Sequence, residues 1–254
     1  MQFSLPFFLR KEPDPGERRL VVSCAHEAFE VTLRRHPRAR RYTLRVLEKS
    51  REVVLTIPPR GSLREARAFA ERSADWIAAR IKKIPDPIPF TEGATIPLRG
   101  VPHRVAHRPA SHGTVWTEST ADGAMLLCVA GRAPHLARRI TDFLKREARR
   151  ELSTATRRHA AALAVTVERI AVRDTASRWG SCSHDGSVSY SWRLILAPPF
   201  VLDYLAAHEV AHRRELNHSP RFWRVVDQLT PDRRRAEAWL KAQGNSLHRY
   251  GAAN

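Results

Sequence analysis

The run Pro199-Phe200-Val201-Leu202-Asp203-Tyr204-Leu205-Ala206-Ala207-His208-Glu209-Val210-Ala211-His212 constrains the chain more than any other stretch. A proline at its start and no internal glycine suit a helix, and a helix apolar on most sides is expected to be buried. Burying two imidazoles and a carboxylate is costly unless something compensates them. The spacing supplies the compensation. Residues four apart on a helix are neighbours, with Cβ atoms roughly 5–6 Å apart, so His208 and His212 can reach one ion at the short distances zinc requires. Glu209 then projects to the side, placed to take a proton from a metal-bound water and return it to a leaving amine.

A third ligand is sought downstream. His218, six positions after His212, completes a tripod with an open fourth position, the arrangement of a catalytic rather than a structural zinc site. Glu215, seven residues after His208 on nearly the same face, and Glu237, deliverable by a second helix, are the alternatives. If the helix ends near Leu216-Asn217 with Asn217 left-handed, His218 swings back to the metal.

The rest of the chain reads as α+β. Arg41 to Leu47 and Glu52 to Ile57 are β-branched and aromatic strands joined by the polar Glu48-Lys49-Ser50-Arg51, a hairpin pattern. Ser62 with Glu65 opens a helix over 62–83 through a capping box. Pro85 to Pro89 can continue neither helix nor sheet and forms a crossing segment. Short strands follow at Ala94–Leu98, Thr114–Thr117 and Ala124–Val129, the last introduced by the Asp122-Gly123 turn. From about Pro134 a long amphipathic helix carries Ile140, Phe143, Leu144, Ala148 and Leu152 on one face. These patterns suggest a β-rich region over 1–133 and a second domain over 134–254, with no internal repeat.

Trp179-Gly180-Ser181-Cys182, the Asp185-Gly186 turn and Val188 to Trp192 read as a hairpin just before the apolar helix. Its first strand could rim a cleft and hold an extended peptide by main-chain pairing. Cys182 is expected to be a small buried hydrophobe. Tyr190 and His184 are further neighbours whose direction spacing does not give.

These segments in combination resemble the YgjP-like zinc metallopeptidase domain, in Arg178-Trp179-Gly180-Ser181-Cys182-Ser183, Trp192 to Pro198, His208 to His212, and Asn217-His218-Ser219-Pro220-Arg221-Phe222-Trp223. Arg41 to Val46 and Leu55 to Pro58 extend the resemblance towards the N-terminus. That family is similar to the SprT and WLM groups of zincin-like proteases. The resemblance implies a minimal zincin-like fold with the active-site helix packed on an antiparallel sheet, zinc on His208, His212 and His218, and a catalytic Glu209. Ser191 and Arg213-Arg214 depart from the family pattern without touching a ligand.

Composition bounds the partners. The 254 residues hold 43% hydrophobic residues and carry a net charge of +18, which fits a globular chain rather than a disordered one. No window approaches the roughly 20 apolar residues of a bilayer span, and Met1 to Arg10 lacks the features of a secretory signal. Three widely spaced cysteines make no C-x-x-C pair, so the cytoplasm is the expected compartment. Two-thirds of the net charge falls in residues 34–45 and 132–158, with Arg34, Arg35, Arg38, Arg40, Arg41, Arg149 and Arg150 prominent. Such clusters attract polyanions, nucleic acid first among them. Two function classes follow: a zinc peptidase acting on protein or peptide, by analogy also on DNA-associated proteins, and a nucleic-acid-binding protein with a structural zinc.

Overall fold

The computed structural model describes residues 18–24, 27–47, 51–84, 86–175 and 178–251. Met1 to Arg10 and the turn residues Glu48 to Ser50 therefore lie outside the described residues. The chain divides into two compact units between Asp86 and Pro87. That division falls earlier than the boundary expected between 133 and 134, because the strands after the proline-rich segment share a core with the long helix that follows them.

Among its described residues the first unit has four strands, β1 (Arg18–Cys24), β2 (Glu27–Arg35), β3 (Thr43–Leu47) and β4 (Glu52–Ile57), and two helices, α1 (Leu63–Arg72) and α2 (Ala74–Lys82). The sheet order is β1-β2-β4-β3, with antiparallel outer pairs and β2 parallel to β4. Val31, Leu33, Val53, Leu55 and Ile57 meet Ala66, Ala70, Ala74 and Ile77 in its core. The Ser62–Glu65 capping box forms as expected. The expected single helix over 62–83 is instead broken at Ser73, whose hydroxyl donates to the Phe69 carbonyl at 2.8 Å. Such back-bonding competes with the helical ladder.

The second unit opens with β5 (Thr95–Leu98), β6 (Val101–Arg108), β7 (Val115–Ser119) and β8 (Met125–Ala130), ordered β5-β6-β8-β7. Its outer pairs are antiparallel and its central pair parallel, as in the first sheet. The long α3 (Leu136–Leu163) covers it, burying Leu136, Ile140, Phe143, Leu144, Ala148 and Leu152 at helical spacing. The β5–β6 turn is fastened to α3 by Arg99, which donates to Glu147 and Glu151 at 2.6 Å each.

A third sheet holds β9 (Arg169–Arg173), β10 (Gly180–Cys182) and β11 (Ser187–Ser191) in the order β10-β11-β9. β10 and β11 form the expected hairpin, with Gly186 at φ +85° in its turn. The sheet is mixed rather than wholly antiparallel, since β9 runs parallel to β11. After a 3-10 turn over Trp192–Leu196 come α4 (Pro199–Ala211), α5 (Pro220–Leu229) and α6 (Arg233–Gln243). Among the described residues no helix is long and apolar enough to cross a membrane.

Candidate metal centre

α4 is buried along most of its length, and specific polar ties hold it in place. Asp203 accepts hydrogen bonds from Arg158 and from His159 Nε2 at 2.9 Å, which joins α4 to α3. The helix ends at Ala211, well before the expected Leu216-Asn217. Its end is set by His212, whose Nδ1 donates to the Glu215 carbonyl at 3.1 Å. Asn217 is not left-handed, since among the described non-glycine residues only Arg51, Arg99 and Ala164 have positive φ. Its side chain accepts from Ser219 N at 3.2 Å, and Ser219 caps α5 with Pro220 next in line. That turn returns His218 towards α4.

His208, His212 and His218 come together, with one ligand nitrogen from each lying within 4.8 Å of the others. The Nε2 atoms of His208 and His218 are 3.1 Å apart. Two nitrogens bonded to one tetrahedral zinc at about 2.0–2.1 Å stand roughly 3.3 Å apart, so the separation suits a shared ion. The proton positions suit it too. His212 spends Nδ1–H on a carbonyl, which leaves its Nε2 lone pair free. His208 Nδ1 faces the Tyr204 hydroxyl at 3.4 Å, and that hydroxyl donates to Glu237 Oε1 at 3.1 Å. Outer contacts of this kind orient metal-binding imidazoles.

Neither alternative third ligand joins the cluster. Glu215 offers its carbonyl to His212, and Glu237 stands one residue removed, behind Tyr204. Tyr204 is the residue that spacing alone did not single out, although its position four before His208 puts it on the same helix face. Phe222 packs against all three histidine rings at centroid distances of 4.9, 4.5 and 4.7 Å.

Burial sets the protonation. It lowers His208 to about 4, aided by His212 and His218, and also lowers His212, so both rings are neutral near pH 7 with lone pairs to offer. Glu209 is 4% exposed, and burial raises its carboxyl to about 8 against a smaller lowering by Arg178. A dication beside it would favour the carboxylate. β10 passes directly over this group: a Cβ on Gly180 would collide with the Glu209 carboxylate, so only glycine allows the strand this close.

A family model described as YgjP-like, metallopeptidase domain, matches residues 40–243. The chain belongs to the YgjP-like metallopeptidase family. None of the curated proteins matches it. Among solved structures, the metallopeptidase zymogen of Pyrococcus abyssi abylysin is similar over 37% of this chain and 92% of its own, at 18% identity and a TM-score of 0.33.

The remaining expected residues of this YgjP-like domain separate. Trp179 precedes β10 and stacks on His248 at 4.9 Å, while Trp192 is fully buried. Ser181 and Cys182 lie in β10; Cys182 is half-buried and outside the histidine cluster, and burial raises its thiol. The Tyr190 hydroxyl is turned away into a buried bond with Thr156 at 2.9 Å. His184 is exposed and offers its carbonyl to Arg213. In the first unit Arg35 donates to the carbonyls of Pro58, Pro59 and Gly61, Arg34 lies 3.9 Å from Glu52, and Arg38, Arg40 and Arg41 are exposed. On α3 Arg150 pairs with Glu147 at 2.6 Å, beside an exposed Arg149.

Proposed function

We propose that this metallopeptidase domain is zinc-dependent, that His208, His212 and His218 hold the ion, and that Glu209 is its general base. The observation that carries the reading is the convergence of three imidazole nitrogens beside a buried carboxylate. Bound zinc would supply a Lewis acid and an acidified water. Glu209 takes the proton from the attacking water and passes it to the departing amine nitrogen. Gly180 keeps β10 close enough to exclude solvent from that carboxylate. Tyr204 and Glu237 hold His208 in the tautomer that presents Nε2.

β10 pairs only with β11 among the described residues, and we infer that its other edge, which has no strand partner there, takes an extended peptide chain. The zincin-like arrangement proposed here is α4 lying against β10, with the substrate annealed along that edge. A structural zinc in a nucleic-acid-binding protein is the weaker reading. Structural sites close all four positions with protein ligands, and among the described residues no fourth His, Cys, Asp or Glu joins this cluster. The test is metal analysis of the purified chain beside His218→Ala. One zinc per chain, lost in the variant together with hydrolysis of an unfolded protein, is expected. Full zinc retention in the variant would remove His218 from the site.

A further inference from the structure

Arg233, the first residue of α6, stands behind the metal centre and is held on two sides by α5. Its Nε and one terminal nitrogen donate to the two carboxylate oxygens of Asp227 at 2.5 and 3.1 Å, a forked pairing that arginine makes and lysine does not. Its guanidinium also lies over the Trp223 ring at 5.2 Å, and that ring meets His208 at 5.9 Å and His218 at 5.6 Å. A guanidinium fixed by a fork and a stack has little freedom left. From that position its other terminal nitrogen lies 3.7 Å from Glu237 Oε2, one helical turn along α6.

The consequence runs inward through a single proton. Glu237 Oε1 accepts the Tyr204 hydroxyl at 3.1 Å, so the hydroxyl proton points away from His208. The Tyr204 oxygen is then left to accept Nδ1–H of His208 at 3.4 Å, and Nε2 keeps its lone pair for a metal ion. With Glu237 swung away, Tyr204 would be free to turn its proton towards Nδ1, which favours the tautomer with hydrogen on Nε2. A long carboxylate side chain loses rotamer freedom when it is held, and Arg233 supplies the opposite charge that offsets this.

We propose that Arg233 is a positioning residue for the metal centre, and that by holding Glu237 at Tyr204 it fixes the His208 tautomer that binds metal. The inference rests on the reading that His208, His212 and His218 hold zinc. The test is zinc affinity by chelator competition on the full chain carrying Arg233→Met, alone and together with Tyr204→Phe. Methionine keeps an apolar chain over Trp223 and removes the charge and the fork. Because the Arg233–Glu237 pair is partly exposed, the effect is modest, and zinc affinity is expected to fall by about fivefold. In the Tyr204→Phe chain the same substitution should change it by less than about twofold, since the route to His208 is already cut. Thermal unfolding of the metal-free chains accompanies the titrations. A clasp between α5 and α6 and nothing more would lower the unfolding temperature and leave zinc affinity alone, and that result overturns the proposal. So does a fivefold loss that is undiminished in the Tyr204→Phe chain. The two readings fail separately. Zinc that binds the unsubstituted chain and is retained in His218→Ala rejects the ligand assignment, whereas zinc that is lost in His218→Ala but unmoved by Arg233→Met rejects the role of Arg233 alone.

Discussion

The sheets β1–β4 and β5–β8 share one strand order and one pattern of directions, yet the units built on them carry different amounts of buried polarity. In the first unit Thr32 is the one buried polar side chain among the described residues. The second unit buries His103, Thr156, His159, Ser191, Arg193, Glu209, Thr230 and His248. Most of these lie beyond the repeated sheet, in α3, the β9–β11 sheet and the C-terminal helices and turns. Several serve to fix those elements. Arg193, 1% exposed, bonds Asp174 at 3.1 Å and the Leu247 and Tyr250 carbonyls, and so ties the chain's end to the third sheet. The difference teaches that the sheet plan is a scaffold used twice, while buried, partnered polar groups mark where chemistry has been added.

Substitutions that separate chemistry from scaffold sharpen this contrast. Gly180→Ala should have the largest effect, displacing β10 or Glu209. A misplacement of about 1 Å in such a group costs roughly a hundredfold in kcat/KM, measurable on any cleaved peptide, with the zinc content unchanged. Tyr204→Phe should act less strongly. It leaves Glu237 Oε1 without its hydroxyl donor and His208 Nδ1 without its outer contact, so zinc affinity should fall by about tenfold in a chelator competition. Smallest for activity is Ser62→Ala in the first unit, which removes the α1 cap. Thermal unfolding should show a loss of about 1 kcal/mol in that unit, with hydrolysis unaltered. A fall in hydrolysis on Ser62→Ala would break the contrast.

Local signals were the legible ones. The β3–β4 hairpin, the capping box at Ser62, the apolar face of α3 and the Asp185-Gly186 turn depend on neighbours in sequence, and each forms where the pattern placed it. Non-local pairings were not legible. β6, with Pro102, His103, Arg104 and His107, has none of the alternation of a half-buried strand, and its parallel partner β8 lies beyond β7. The shared sheet plan is invisible for the same reason, because topology repeats without a repeat of residues. At the metal centre the spacing of His208, His212 and His218 sufficed to anticipate their meeting. It did not anticipate how, because the end of α4 is fixed by a ring-to-carbonyl bond from His212 and the return of His218 by the caps of Asn217 and Ser219. Distance along the chain makes Glu237 a candidate ligand, and only the fold shows Tyr204 standing between it and His208.

The most direct measurement is zinc stoichiometry and peptide hydrolysis, taken together, on the Glu209→Gln chain. One zinc per chain with hydrolysis reduced by about a hundredfold or more is the expected result, since the ligands are untouched and only the proton acceptor is gone. Hydrolysis at the unsubstituted rate with zinc retained would contradict the assignment of Glu209 as the base.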